Sequence, residues 1–230
     1  MTNNEEYKEN SSNPPQYDSI GESYIKSKEG FFTEHQDLGK EFIFDHLIDC
    51  EGKSVLDVGC GGGAEMALYR TKGFSRIVGI DPSPTMVAAA RESLQDSGAE
   101  ANVGSWETIS YPDESFDYLI GRFSLHYVKD CDVAYREAGR VLRHGGYLML
   151  VIPHPDADTN VVIENDIPYV RVSLYGGKVS ITYPKHTLDQ YFSPTFKELF
   201  EVVDTISYKS LERDDAVSER DTIAFLARRR

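Results

Sequence analysis

A short apolar segment that breaks abruptly into glycine constrains this sequence more than any other feature. Residues 55–63 read VLDVGCGGG, and residues 64–72 after them have a composition compatible with a helix. This order predicts a β-strand, a glycine turn and a helix. Glycine lets the backbone take positive φ values and approach a ligand closely, and the first N–H groups of a helix point into such a turn. The segment therefore predicts a nucleotide-type pocket that includes Gly59 and Gly61, with a ligand-free turn as the alternative.

The spacing of the glycines separates two classes of pocket. Dinucleotide sites use G-x-G-x-x-G around a pyrophosphate, whereas residues 59–63 read G-x-G-G-G. Asp57 lies in the predicted strand just before the turn, where a carboxylate repels a pyrophosphate and suits a cation. S-adenosylmethionine carries an ammonium, a sulfonium and a carboxylate, and no phosphate. The segment 55–63 resembles motif I of the class I S-adenosylmethionine-dependent methyltransferases, which implies S-adenosyl-L-methionine as the cofactor.

The resemblance extends along much of the chain and implies a fold. It rests on motifs over residues 35–152 and on the order of elements alone over residues 187–228. It implies an α/β, Rossmann-like three-layer sandwich. The sheet would be mostly parallel and seven-stranded, with an antiparallel C-terminal strand. We expect a disordered segment at 1–16 and one methyltransferase domain at 17–230. Apolar runs and caps predict the remaining elements: strands at 76–80, 101–103, 115–121, 147–152, 202–209 and 222–227, and helices at 35–48, 84–95, 130–143 and 187–199.

Charge and cysteine content narrow the function classes. The net charge of the 230 residues is −14, which argues against binding nucleic acid or an anionic membrane surface, because both depend on Lys and Arg. We therefore expect a small-molecule acceptor, no nucleic-acid or membrane partner, and a monomer or homodimer. Three scattered cysteines do not indicate a disulfide framework or a metal cluster. Without a recognisable secretory signal or membrane span, the expected location is cytoplasmic.

The second predicted strand ends in an acidic residue that is typical of ribose recognition. Asp81 lies 24 residues after Asp57. This separation is close to the spacing of about 20 residues between the glycine turn and the acidic residue in nucleotide-binding βαβ units. Its carboxylate can accept hydrogen bonds from both ribose hydroxyls. Ser83 followed by Pro84 predicts the start of a helix. The resemblance implies adenine contacts from Pro82, Ser83 and Met86, although a core position is an equal alternative for the methionine.

Four further segments contribute candidate cofactor contacts by resemblance. In place of the acid that the family frequently uses at this position to bind the adenine amino group, this chain has Ser105. Trp106, the only tryptophan, is either an adenine wall or a core residue. Arg122, after strand four, is a further candidate. Tyr17 and Tyr24 match a family segment that folds over the methionine end of the cofactor, or else they pack under the first helix.

The acceptor side of the site is predicted from the ends of strands four and five. Ligands bind outside the carboxyl ends of parallel strands, and His126 and His154 follow those two strands. They are the candidate catalytic bases, since imidazole titrates near neutral pH, with a structural role as the alternative. Tyr127 and Tyr183 are candidate substrate contacts. Residues 156–186 interrupt the βα alternation and contain a predicted hairpin at 169–183, either a lid over the acceptor or a surface decoration.

The sequence thus predicts transfer of a methyl group to an oxygen, nitrogen or carbon atom of a small molecule. Two alternatives stay open: a non-catalytic protein that binds S-adenosylmethionine or S-adenosylhomocysteine, and a nicotinamide-dependent oxidoreductase. Because the sulfonium is already a good leaving group, the chain mainly has to align the reactants and exclude water. A general base is needed only where the acceptor must lose a proton.

Overall fold

The fold consists of a large mixed sheet covered by helices on both faces and a small antiparallel sheet. It is seen in a computed structural model that describes residues 14–157, 160–210, 218 and 220–230. The strands are β1 (Ser54–Val58), β2 (Arg76–Asp81), β3 (Glu100–Val103), β4 (Phe116–Arg122), β5 (Leu142–Pro153), β6 (Val161–Glu164), β7 (Ile167–Leu174), β8 (Val179–Pro184), β9 (Phe200–Tyr208) and β10 (Thr222–Arg229). The α-helices are α1 (Pro14–Phe32), α2 (Leu38–His46), α3 (Ala64–Tyr69), α4 (Pro84–Ser93), α5 (Cys131–Val141), α6 (Leu188–Tyr191) and α7 (Pro194–Leu199).

The order of strands in the large sheet creates a crevice at its centre. The seven strands run β3-β2-β1-β4-β5-β10-β9. Strands β1 to β5 are parallel, and β10 is antiparallel to both β5 and β9. This confirms the predicted sheet. The chain winds outward from β1 in one direction and from β4 in the other, so a ligand crevice is expected outside the carboxyl ends of these two strands.

Two apolar cores, one on each face of the large sheet, hold the helices in place. Along β1, Leu56 and Val58 belong to one core and Val55 to the other, because neighbouring side chains of a strand point to opposite faces. All five residues of β1 are buried, as expected for a parallel strand covered on both sides. Helices α5 and α7 pack on one face, and α2, α3 and α4 pack on the other.

The small sheet, β6-β7-β8, lies between β5 and α6 in the chain and is antiparallel throughout. Its β7–β8 hairpin confirms the one predicted at 169–183. Strand β6 was not predicted; it joins β7 through a tight turn at Asn165 and Asp166, whose φ angles of 48° and 64° suit such turns. The buried face of the small sheet packs against α1, including Tyr17 and Tyr24.

The N-terminal region differs from the sequence prediction. Helix α1 begins at Pro14, inside the segment expected to be disordered, and runs through Tyr17 and Tyr24. Residues 1–13 of that segment lie outside the described residues. No helix in the described part of the chain has both the length and the apolar character that crossing a membrane requires.

Two element boundaries also differ. The helix predicted over 187–199 is split into α6 and α7, because Ser193 caps α7 by accepting a hydrogen bond from the N–H of Phe196. Pro194 then fits the first turn of α7, where its missing N–H is tolerated. The helix predicted to reach residue 143 ends at Val141, and β5 begins at Leu142, which already pairs with Phe116 of β4.

Candidate functional site

The crevice at the carboxyl ends of β1, β2 and β4 holds a cavity with a volume of about 280 Å³. We refer to it as the first cavity. Helix α1 crosses over it, and the loop after β1 forms its floor. Within the described residues, no group of three or more His, Cys, Asp or Glu side chains is arranged to hold a metal ion. The first cavity is lined by individual charged and aromatic side chains.

The glycine loop brings backbone against the first cavity. Gly59 and Gly61 have φ angles of 82° and 53°, which residues with a Cβ adopt only with strain. A Cβ on Gly59 would lie 2.3 Å from the Cβ of Ser124, whereas a Cβ on Gly61 would meet nothing within 4 Å. Gly59 is thus required for packing, and Gly61 leaves the cavity floor open to a ligand.

Asp81 fixes this loop and also lines the first cavity. Its Oδ2 accepts a hydrogen bond from the N–H of Gly61 at 2.9 Å, and its Oδ1 accepts one from the N–H of Ser83 at 2.9 Å. The residue is 7% exposed. Burial raises the pKa of Asp81 to about 6, although the two backbone hydrogen bonds act in the opposite direction. Since a carboxylate oxygen has two acceptor sites, each oxygen can still accept from a ligand hydroxyl.

Asp57 provides a buried carboxyl group at the floor of the same cavity. It is 5% exposed, and its Oδ2 accepts a hydrogen bond from the hydroxyl of Tyr69 at 3.0 Å. Burial, helped by the nearby charge of Glu65, raises the pKa of Asp57 to about 7. A cationic ligand beside this group would favour its ionised form.

A compact network of charges forms one wall of the first cavity. Lys28 of α1 contacts Glu65 at 2.9 Å, and Arg122 contacts Glu65 at 2.8 Å and Asp37 at 2.7 Å. Burial alone would raise the pKa of Glu65, but the charges of Lys28 and Arg122 outweigh it and hold that pKa well below its usual range. The wall thus presents fixed charges of both signs, which suits a ligand end that carries both an ammonium and a carboxylate.

Aromatic side chains next to the end of β4 form another part of the cavity wall. The indole N–H of Trp106 donates to the hydroxyl of Ser124 at 3.1 Å, and this hydroxyl donates to the carbonyl of Val58 at 2.5 Å. Phe123 has a φ angle of 50°, which is rare for a bulky residue. Phe123 also lines the first cavity.

A second cavity, with a volume of about 30 Å³, lies beyond the end of β4. It shares Tyr17, Tyr24, Phe123 and Tyr127 with the first cavity. His126 lines only the second one, and it is 1% exposed. The remaining walls come from the ends of β5 and β10 and from the hairpin of the small sheet.

Most of the candidate site residues meet at these two cavities. The first cavity is lined by Tyr17, Tyr24, Asp57, Gly59, Gly61, Asp81, Pro82, Met86, Ser105, Trp106, Arg122 and Tyr127. The second cavity is lined by Tyr17, Tyr24, His126, Tyr127 and Tyr183. Met86 and Trp106 are also buried in the interior. Each of them therefore both lines the first cavity and belongs to the buried interior.

Two candidates line neither cavity. The hydroxyl of Ser83 caps α4 by accepting from the N–H of Met86 at 3.2 Å, and it donates to Asp18 at 2.6 Å. The ring of His154 turns toward its own loop, where Nδ1 accepts from the N–H of Asp156 at 3.2 Å. The direct ligand roles expected for Ser83 and His154 are therefore not supported by their positions.

Comparison with known proteins shows what the region around this site resembles. Residues 56–150 match the family model described as a methyltransferase domain. The match covers 95 of the 230 residues, and this part of the chain resembles methyltransferase domains. It is 34% identical over 128 residues to the uncharacterized methyltransferase YcgJ of Bacillus subtilis, which covers 54% of this chain and 49% of that protein. It is also 34% identical over 146 residues to the ubiquinone/menaquinone biosynthesis C-methyltransferase UbiE of Hahella chejuensis, covering 59% of this chain and 57% of that protein.

The solved structures agree on the fold. The crystal structure of a putative S-adenosylmethionine-dependent methyltransferase from Listeria monocytogenes superposes with a TM-score of 0.68 at 17% identity, covering 84% of this chain and 99% of that one. At this identity the likeness shows the fold of the methyltransferase family and no more. The chain spans about half the length of the curated relatives that it matches.

The residues present in the first cavity fit the cofactor that this methyltransferase family uses. Asp81 offers a buried carboxyl group beside the open floor at Gly61, which suits ribose hydroxyls. The network of Lys28, Glu65 and Arg122 offers charges of both signs, which suits an amino-acid end. Sequence reasoning missed Lys28 and Glu65, because 37 residues separate the partners and no local pattern marks either one.

Proposed function

We propose that this protein is an S-adenosylmethionine-dependent methyltransferase that acts on a small molecule. The observation that carries the proposal is the first cavity, where Asp57, Asp81 and the open floor at Gly61 meet a wall of paired charges. This combination suits a ligand with hydroxyls and with charges of both signs, and it disfavours a pyrophosphate. The family match over residues 56–150 and the similarity to the UbiE protein support the same assignment.

We expect each end of the cofactor to meet a different part of the first cavity. Asp81 would accept hydrogen bonds from the ribose hydroxyls, and Pro82, Met86, Ser105 and Trp106 would surround the adenine. The charged end would meet the wall that contains Arg122, with Asp57 close to the positive charge. Tyr17 and Tyr24 would cover it from α1. When bound, S-adenosylmethionine supplies a methyl group on a positively charged sulfur.

The protein then has to align an acceptor atom with that methyl group. In an in-line displacement, the acceptor lone pair forms the new bond to carbon as the carbon–sulfur bond breaks, and its electrons stay on sulfur. The shared aromatic walls at Phe123 and Tyr127 exclude water from the path between the two cavities, and such alignment and desolvation are major contributions to catalysis. A proton leaves the acceptor only where the acceptor atom carries one.

His126 is the remaining candidate for handling that proton. It lines the second cavity and is almost fully buried, and its backbone carbonyl accepts from the Nε2 of His186 at 3.1 Å. A hydroxyl or acidic carbon acceptor would give its proton to His126, whereas an amine acceptor would only be oriented by it. We also propose that the segment 156–186 acts as the acceptor lid, because Val172, Ile181 and Tyr183 line the second cavity.

Two measurements test the proposal. Calorimetry with S-adenosylhomocysteine and with NADH should show binding of the first ligand and none of the second. Incubation with radiolabelled S-adenosylmethionine and a metabolite extract should then transfer label to a small molecule. Tight NADH binding without S-adenosylhomocysteine binding would contradict the assignment and favour an oxidoreductase. Cofactor binding with no transfer to any extract component would favour a non-catalytic binding protein.

A further inference from the structure

The second cavity contains a carboxylate that the proposed methyl transfer does not use. Asp221 immediately precedes β10, and its carbonyl accepts a hydrogen bond from the N–H of His154 at 2.8 Å, next to the end of β5. It therefore lies at the same sheet edge as Phe123 and His126. Asp221 lines the second cavity and is 0% exposed.

One oxygen of this carboxylate is satisfied and the other is not. The Oδ1 of Asp221 accepts from the N–H of Ser210 at 2.7 Å and from the hydroxyl of Thr222 at 2.8 Å. The Oδ2 has no hydrogen-bond partner among the described residues. Leaving a buried charged group without a partner costs more than the loss of an ordinary hydrogen bond, so such groups are normally paired. Since Asp221 lines the second cavity, a donor group on a ligand bound there can supply the missing partner.

The other walls of the second cavity favour a positive charge. Aromatic rings surround it in a connected set: Tyr17 and Tyr127 meet edge to face at 5.7 Å between centroids, and Tyr127 and Tyr183 do so at 6.1 Å. Ring faces attract ammonium groups. The net charge of −14 also favours the approach of cations over anions.

We propose that the second cavity binds the protonated amine of the acceptor, held by Asp221 within this aromatic enclosure. The proposal rests on the proposed methyl transfer only in naming this ligand the acceptor. The cavity volume of about 30 Å³, compared with about 10–15 Å³ for one water, limits the bound head to one or two non-hydrogen atoms. The ligand class is therefore a small molecule with a primary or secondary ammonium head and a body that extends past Phe123 toward the first cavity. The atom that accepts the methyl group lies on that body, because a protonated nitrogen has no lone pair to form the new bond.

Three probes of similar size and different charge test this inference. n-Propylammonium, 1-propanol and propionate are titrated into the protein near pH 7, where an alkylamine is protonated, with S-adenosylhomocysteine present at saturation. Binding is followed by calorimetry and by the NMR shift of the labelled δ-methyl group of Ile181, which lines the cavity. Propylammonium should bind saturably and shift that methyl signal, with an affinity at least about tenfold above those of the other two probes, as a charged hydrogen bond implies.

The matched variants are Asp221→Asn and Asp96→Asn, which remove the same charge. Asp96 is exposed after α4 and lines neither cavity. Asp221→Asn should weaken the binding of propylammonium by about tenfold or more, whereas Asp96→Asn should leave it nearly unchanged. Equal binding of propanol, no shift at Ile181, or unchanged affinity in folded Asp221→Asn would overturn the inference. If Asp221→Asn does not fold, the relative affinities of the three probes and the Ile181 methyl signal still show whether the second cavity prefers an ammonium group.

The two proposals fail separately in this experiment. Absence of S-adenosylhomocysteine binding would contradict the proposed function while leaving the cavity measurement intact. Binding of S-adenosylhomocysteine together with no preference for propylammonium would leave the methyltransferase assignment standing and reject the amine subsite.

Discussion

Replacing Asp81 with Asn is the sharpest test of how the cofactor is held. The carboxylate lines the first cavity while it accepts backbone N–H groups from Gly61 and Ser83. The amide keeps the shape but loses the charge, and its nitrogen cannot accept a hydrogen bond. A hydrogen bond to a charged group contributes about 1.5–3 kcal/mol, and about 1.4 kcal/mol corresponds to a tenfold change in Kd. We therefore expect the Kd of S-adenosylhomocysteine to rise about 10- to 150-fold.

The assay has to separate a lost ribose contact from a deformed glycine loop. Calorimetry is run on wild type and Asp81→Asn with S-adenosylhomocysteine and with its 2′,3′-dideoxy analogue, after circular dichroism has shown that the variant is folded. The penalty should be present for the parent ligand and nearly absent for the analogue. Asp96→Asn, an exposed carboxylate after α4, controls for charge loss. An unchanged Kd in the folded variant, or the same penalty for both ligands, would refute the ribose assignment.

Three further predictions concern pH, α1 and the histidines. Burial raises the pKa of Asp57 to about 7 in the folded state, so its contribution to the free energy of unfolding should fall as pH rises from about 4 to 7, by up to about 1.4 kcal/mol per pH unit. Urea titrations at several pH values should therefore show a weaker pH dependence of this free energy in Asp57→Asn than in wild type. The same pH dependence in both proteins would contradict the prediction. Tyr17→Phe removes the 2.6 Å hydrogen bond between the hydroxyls of Tyr17 and Tyr127 and should destabilise the packing of α1 by about 1 kcal/mol. Amide hydrogen exchange in α1 should then become faster. Unchanged protection of these amides would show that this contact does not stabilise α1. If the acceptor carries an exchangeable proton, His126→Gln should lower kcat and alter the acidic limb of the rate–pH profile. His154→Gln should have the same profile as wild type. The reverse result would assign the role of proton acceptor to His154.

The local part of the fold and site could be predicted from the sequence. Local backbone preferences of adjacent residues determine several features. These are the strand, turn and helix around Gly59, the cap at Ser83 and the acidic residue at the end of β2. The fold class is what the family resemblance of these segments implies, and the strand order of the large sheet agrees with it. The resemblance then located most of the residues that line the first cavity.

The rest depends on contacts between distant segments. Asp221 immediately precedes β10. Nothing near it in the sequence indicates that it lines the second cavity. Helix α1 was missed because it has no strong apolar periodicity; it is held by contacts with the small sheet and with α4. The cap at Ser83 is predicted from the sequence, but the hydrogen bond from its hydroxyl to Asp18 joins residues 65 positions apart; the adenine contact that the resemblance implies for Ser83 stays a prediction. Side-chain direction in these cases is decided by packing, which a single sequence does not show.

Because α1 supplies Tyr17 and Tyr24 to both cavities, a ligand that fixes this helix in one cavity also fixes part of the wall of the other. The second ligand would then lose less conformational freedom of the protein on binding than the first. We therefore expect positive cooperativity between cofactor and acceptor, with the same coupling free energy in either order of addition. Substitutions in α1 would change this coupling even where they leave each separate affinity intact.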